Sequence, residues 1–185
     1  TEEMEKGNFD VAESRIREAL ELVPKDESLL ETLRTLPRGR IEWAILHIDK
    51  ELNHDLDNKR WDGALKRLKQ IEKSRGEEEW PDDSQVGNIL NRVSPLKKDL
   101  EQRFTQLKNW LAEAESSITQ GQYDNAENTL KLASRDHPTS QAVSDLLGTL
   151  LDLRQKTATL NRSLAGAWEE KRYRDTVNIA DDLLK

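Results

Sequence analysis

Gly7-Asn8-Phe9-Asp10-Val11-Ala12, Lys59-Arg60-Trp61-Asp62-Gly63-Ala64 and Gly121-Gln122-Tyr123-Asp124-Asn125-Ala126 share one punctuation: a turn, an aromatic residue, an Asp, then an Ala that opens an apolar-periodic helix. A fourth, degenerate copy runs from Arg172 through Tyr173 and Asp175 to Thr176. Recurrence of one turn-plus-helix unit predicts an all-α fold made by stacking helical hairpins. A lone hairpin cannot bury its apolar face and needs a neighbour on each side.

Composition agrees with that reading. At 185 residues the chain suits one compact domain or one short solenoid, and we expect a single domain over 1–185 with units near 1–36, 37–94, 95–148 and 149–185. The apolar fraction of 35% is low and the charged fraction of 35% high, as in an elongated helical array with a large surface. Eight Gly and five Pro are few enough to permit long helices. Leu dominates the apolar set, which favours helix over strand. A net charge of −7 argues against nucleic acid as partner, because phosphate binding requires a basic field. Without Cys there is neither a disulfide framework nor a thiolate site, and redox logic leaves the compartment open. The sequence holds neither an apolar run of span length nor a basic-then-apolar leader, so direct membrane insertion is not expected and a cytoplasmic location is favoured. Thr1 precedes an incomplete opening repeat and Lys185 falls inside the fourth short helix, so both ends read as cut from something longer.

In the first copy, Gly7, Phe9, Ala12, Ile16, Ala19 and Pro24 fall at helical spacings, with Leu20 and Val23 completing the apolar stripe. The third copy repeats the spacing with Gly121, Tyr123, Ala126, Leu130, Ala133 and Pro138, preceded by Trp110 and Ala114. This order of small residue, aromatic, Ala, large apolar, Ala and terminating Pro resembles the second helix of a tetratricopeptide repeat. The second copy keeps Trp61, Ala64, Leu68 and Ile71, but its Pro is displaced to Pro81 by an acidic loop from Gly76 to Asp83. The fourth keeps Tyr173, Val177, Ala180 and Leu183, with Thr176 in place of Ala. The period departs from the family: aromatic to aromatic the spacing is 52, 62 and 50 residues, against roughly 34 for that repeat.

The extra length falls in Ser28–Asn58, Ser84–Gln120 and Thr139–Lys171, which read as long helices. Val143, Leu146, Leu150, Leu153, Thr157, Leu160, Leu164 and Ala167 alternate steps of three and four, as do Leu100, Phe104, Leu107, Leu111, Ala114 and Ile118. A helix over 139–170 would be roughly 48 Å long, enough to lie against the short helix before it and the one after. Pro37 and Pro95 should each kink their segment or start a new helix. Thr139, Ser84, and Asp26 or Ser28 are the expected caps.

No grouping argues for catalysis. His47, Glu51 and His54 share a helix face and could hold Zn or Fe, but an ordinary i,i+4 pair on a solvated face accounts for them. His137, beside Pro138 in a repeat-ending turn, is expected to face water. No catalytic residue, metal or cofactor is therefore expected. Trp61 and Trp110 sit at core positions of the repeats. The candidate protein-binding residues are Arg34, Arg38 and Arg40, which flank Pro37 and could receive an acidic group, with Trp43 and Trp80, which fall off the core stripes. Against these stand a solvated basic patch for the arginines and burial against neighbouring helices for the tryptophans. The resemblance implies a non-enzymatic scaffold or adaptor that binds another protein or peptide. The alternatives are a spectrin-like coiled-coil rod that self-assembles through its long helices, suggested by Phe104 to Glu115, and a regulatory sensor domain of a larger protein.

Overall fold

The computed structural model describes residues 2–77 and 79–183. The chain is all-helical: about 85% of it is helix, and the described residues contain no strand. The elements are α1 (Glu2–Glu5), α2 (Phe9–Leu22), α3 (Glu27–Asp57), α4 (Trp61–Arg75), α5 (Gln85–Thr119), α6 (Tyr123–Asp136), α7 (Gln141–Glu169) and α8 (Tyr173–Leu183). Contacts divide the chain into two compact units, Thr1–Arg103 and Phe104–Lys185, with the boundary inside α5.

All four aromatic copies adopt one turn. Gly7, Lys59, Gly121 and Lys171 take left-handed φ values of 80°, 51°, 70° and 59°. The next amide then bonds back to the carbonyl five residues earlier: Asn8 to Glu3, Arg60 to Asp55 and Gln122 to Ser117 at 2.8 Å, and Arg172 to Ala167 at 2.9 Å. This bond closes a helix C-terminus and satisfies one of its orphan carbonyls. The residue that donates it is also the N-cap of the next short helix, because its own carbonyl accepts from Ala12, Ala64, Ala126 or Thr176. One residue thus ends one helix and begins another, which leaves no slack in this joint.

Short helices return to long ones through a second joint. Val23-Pro24-Lys25-Asp26 and His137-Pro138-Thr139-Ser140 close with bonds from Asp26 N to Val23 O (3.2 Å) and Ser140 N to His137 O (3.1 Å). Asp26 Oδ1 accepts from Leu29 N, and Ser140 Oγ from Val143 N. The cap is therefore Ser140 rather than Thr139, since the turn uses residue 139 as an inner position. Between α4 and α5 the joint lengthens to residues 76–84, where Ser84 Oγ accepts from Gly87 N at 2.9 Å and serves as the expected cap.

In the first unit, Ile45, Leu52, Ala64, Leu68, Ile71, Val86, Ile89, Val93 and Leu100 form the main core among α3, α4 and the start of α5. A smaller core joins Phe9, Ala12, Ile16 and Leu36, so α3 packs on α2 with its first half and on α4 with its second. In the second unit, Leu107, Ala114, Ala126, Leu130, Ala133, Val143 and Leu150 form the core, and α7 contacts both α6 and α8. Each fully buried Leu in these layers contributes roughly 2 kcal/mol. Ala64 and Ala126, both with no exposed surface, let the helices approach closely. Trp61 and Trp110, expected in the core, are half-buried and pack on its edge.

Pro37 and Pro95 lie inside α3 and α5, which continue through them, so no new helix starts at either. Each proline removes one donor from the ladder. Both are exposed, where water can meet the freed carbonyl, and buried Leu36 and Val93 hold the adjoining turns.

Candidate protein-binding surfaces

The three arginines near Pro37 do not form one patch. Arg38 and Arg34 are four residues apart on one side of α3, while Arg40 lies on another. Arg40 Nη2 is 2.6 Å from Asp10 Oδ1 and 3.8 Å from Glu13 Oε2 of α2, with its guanidinium 5.9 Å from the Phe9 ring. Arg38 covers the Trp80 ring at 4.7 Å and donates to the Glu79 carbonyl at 3.5 Å. Arg34, also exposed, lies 3.7 Å from Glu31 within the same helix.

Trp43 is half-buried. It meets Phe9 edge-on at 6.2 Å, stacks on His47 at 5.1 Å with ring planes 4° apart, and lies so close to Gly7 that a Cβ there would sit 2.4 Å from Cζ2. Gly7 is thus required twice, for its left-handed φ and for this ring. Trp80 is also half-buried, packed on the main core of the first unit. Both tryptophans take the packing role that sequence spacing left open. Trp43 also lines, with Glu5, His47, Lys50 and Gln85, part of a cavity of about 330 Å³.

His47 Nε2 is 4.0 Å from Glu51 Oε1, an i,i+4 pair, and the other Glu51 oxygen is 3.0 Å from Arg67 Nη2. The His54 ring lies instead beside Asn58, 3.4 Å from its Nδ2. Among the described residues no group of three or more His, Cys, Asp or Glu is placed to hold a metal ion. His137, expected in water, is 4% exposed. The proline turn folds its ring inward, 5.9 Å from Phe104 and with Nε2 3.4 Å from Asp136.

Sequence reasoning missed two recurring ion-pair arrangements. Arg154 of α7 pairs with Asp124 and, at 2.6 Å, with Glu127 of α6, which reproduces Arg40 with Asp10 and Glu13. Asp10 to Arg40 and Asp124 to Arg154 are each thirty residues apart, a signal visible in the chain itself. The second arrangement joins the tight turns of the first unit. Glu3 accepts from Asn8 at 3.0 Å and from Arg15 at 3.2 Å. Buried Asp55 lies 3.0 Å from Arg60 and 3.9 Å from Arg67, at the same places in its repeat. The hydrogen bond from Asn8, then the charges of Arg15 and Lys6, hold the Glu3 carboxyl below its ordinary range.

The second unit exposes apolar surface. Leu151 is 66% exposed at the position where α3 and α5 carry proline, and it edges a cavity of about 200 Å³ with Leu147, Leu150, Glu127 and Arg154. Trp168 (64% exposed) and Tyr173 (58%) meet edge-on at 5.9 Å, and Val177 comes next on α8. No described helix is long and apolar enough to cross a membrane.

Comparison with protein families, curated proteins and solved structures finds no match to this chain.

Proposed function

We propose that the chain is a non-enzymatic scaffold of tetratricopeptide-like type, which binds another protein or peptide through the faces of its helical hairpins. The observation that carries the reading is the fourfold turn with one hydrogen-bond pattern, linking short helices to long ones, while Leu151, Trp168, Tyr173 and Val177 stay in solvent. Large exposed apolar side chains mark interaction surfaces when they cluster, as Trp168 does with Tyr173. The heptad-like seams favour this reading over a self-assembling rod, since Leu107, Ala114, Val143 and Leu150 are used inside the second unit.

The test is co-purification from the native lysate, with the intact chain compared with two variants. One carries Arg34→Glu and Arg38→Glu, the other Leu151→Asp and Trp168→Asp. Selective enrichment of one or a few proteins, reduced at least tenfold in one variant, is expected. Equal recovery with all three baits, or concentration-dependent self-association in sedimentation with no captured protein, would overturn the proposal.

A further inference from the structure

The first unit contains two joints of one kind between successive long helices, and they are filled differently. Met4 and Phe9 flank the first tight turn as Leu56 and Trp61 flank the second, and Gly7 and Lys59 donate back to Met4 O and Leu56 O at the same 3.1 Å. Along the long helices, buried Leu36, Val93 and Leu150 match one another. Three residues further on stand Gly39, Leu96 and Leu153. Between α3 and α5, Leu56, Leu96 and Trp61 pack together on the main core and close the joint. Between α1 and α3 the leucine is missing, and Met4, Phe9, Gly39, Trp43 and Leu46 wall a cavity of about 310 Å³.

The backbone does not require a glycine there. Gly39 is not left-handed, and a Cβ on it would meet only Met4 Cε at 3.6 Å and Phe9 Cε1 at 3.7 Å, which are ordinary contacts. Glycine inside a helix is otherwise a cost, so what it provides here is space. That space is set by side chains and not by where α1 starts. In the α3–α5 pair the residues before Leu56 lead away from the joint, with Asp49 meeting Arg92 one turn nearer the start of α5. Chain ahead of α1 on the same course would face Thr35, one turn short of Gly39.

The other two residues that line the cavity are Glu5 and Glu42, both exposed. Among the described residues neither side chain has a hydrogen bond or an ion pair, and no cation lines this cavity. Arg40, whose guanidinium is 5.9 Å from the Phe9 ring, is already engaged by Asp10 and Glu13. Lys50 shares the adjoining cavity with Glu5 without pairing with it. Apolar and aromatic walls under two unpaired carboxylates complement a cation carried on an apolar stem.

We infer that this cavity receives a basic side chain, Lys or Arg, from a partner protein, with its stem in the space left by Gly39 and its charge at Glu5 and Glu42. This deepens the scaffold reading and rests on it.

The probes are the Nα-acetylated amides of lysine, arginine and norleucine, with butylammonium as a free amine, titrated into the full chain and followed by the Trp43 indole N–H resonance. The two basic probes should bind about fivefold tighter than norleucine, the size of two exposed ion pairs. Glu5→Gln with Glu42→Gln should bring them down to the norleucine level, with helix content by circular dichroism unchanged. Gly39→Leu, which gives α3 the residue that α5 carries at Leu96, should abolish binding of all the probes; should that variant fail to fold, the glutamine pair carries the test. Equal binding of norleucine and lysine, basic probes indifferent to the glutamine pair, or binding retained in folded Gly39→Leu would overturn the inference. Butylammonium binding tenfold tighter than the lysine probe would assign the cavity to free amines and overturn it too. A native partner captured equally by the intact chain and by the glutamine pair would leave the scaffold reading standing and remove only this site, whereas probe binding as expected with no captured protein would overturn the scaffold reading and the partner assigned here.

Discussion

The tight turn before α4 and the tight turn before α6 have the same backbone and opposite chemistry. Both place a left-handed residue two before the aromatic, and both close with a 2.8 Å bond five residues back. In the first unit the residue that accepts this bond is Asp55, whose side chain meets Arg60 and Arg67. In the second it is Ser117, with Gln122 in place of Arg60 and buried Thr129 in place of Arg67. The repeat is thus defined by backbone bonds and by the small residue at Ala64 or Ala126, while the side chains around the turn vary freely between charged and neutral sets.

The largest expected effect separates the units at their second joint. In Gly87→Ala the new methyl would lie 2.0 Å from the Pro81 carbonyl oxygen, so the backbone must move, at a cost of roughly 3 kcal/mol. Gly148→Ala in α7 meets no atom within 4 Å and should instead stabilise by about 1 kcal/mol from helix propensity. Urea denaturation of both variants, with hydrogen exchange used to assign the change to α5 or α7, measures the contrast. Equal shifts would mean that the longer joint is not anchored at Pro81.

An intermediate effect tests the charged turn against the neutral one. Asp55→Asn removes the buried carboxylate that lies 3.0 Å from Arg60 and 3.9 Å from Arg67, while Glu51 stays 3.0 Å from Arg67, and should cost about 1–3 kcal/mol. Ser117→Ala should cost less than about 1 kcal/mol. If the two costs coincide in denaturation, the carboxylate contributes nothing that a hydroxyl does not.

The smallest effect is a pH dependence shared by both units. In the second, the hydrogen bond from Lys131, then the charges of Lys131 and Arg154, hold Glu127 below its ordinary value of 4.5, and Glu3 is lowered in the first. A lowered folded-state value contributes stability that is present above the unfolded value and lost as pH falls through the folded one. Both groups are half-buried and still reached by water, so only a slight loss is expected below about pH 4.5. Glu127→Gln should flatten that slope in thermal scans from pH 3 to pH 6, and a steeper slope would contradict the sign.

Helix positions were legible because their signals are local. Gly7 and Gly121 permit the left-handed turn, Pro24 and Pro138 bar continuation, and Asp26 and Ser84 cap the long helices α3 and α5. That α3 and α5 run on through Pro37 and Pro95 was not legible, because a proline's local penalty, one lost donor and a crowded carbonyl, is set against flanking core residues fixed by contacts remote in sequence. The candidate surface was less legible for the same reason. Arg34, Arg38 and Arg40 are close in sequence, yet the partners that separate them, Glu31, Trp80 and Asp10, come from three elements. His137 looked like a turn residue until Phe104 covered it.

One residue serves as both the end of one helix and the start of the next in all four tight turns, whereas the other joint is four residues long twice and nine residues long once. The first joint is a fixed hinge pin and the second a spacer of adjustable length. Growth or shrinkage of this architecture is confined to the spacers, so an inserted tag or reporter belongs near Glu77 and not near Gly121.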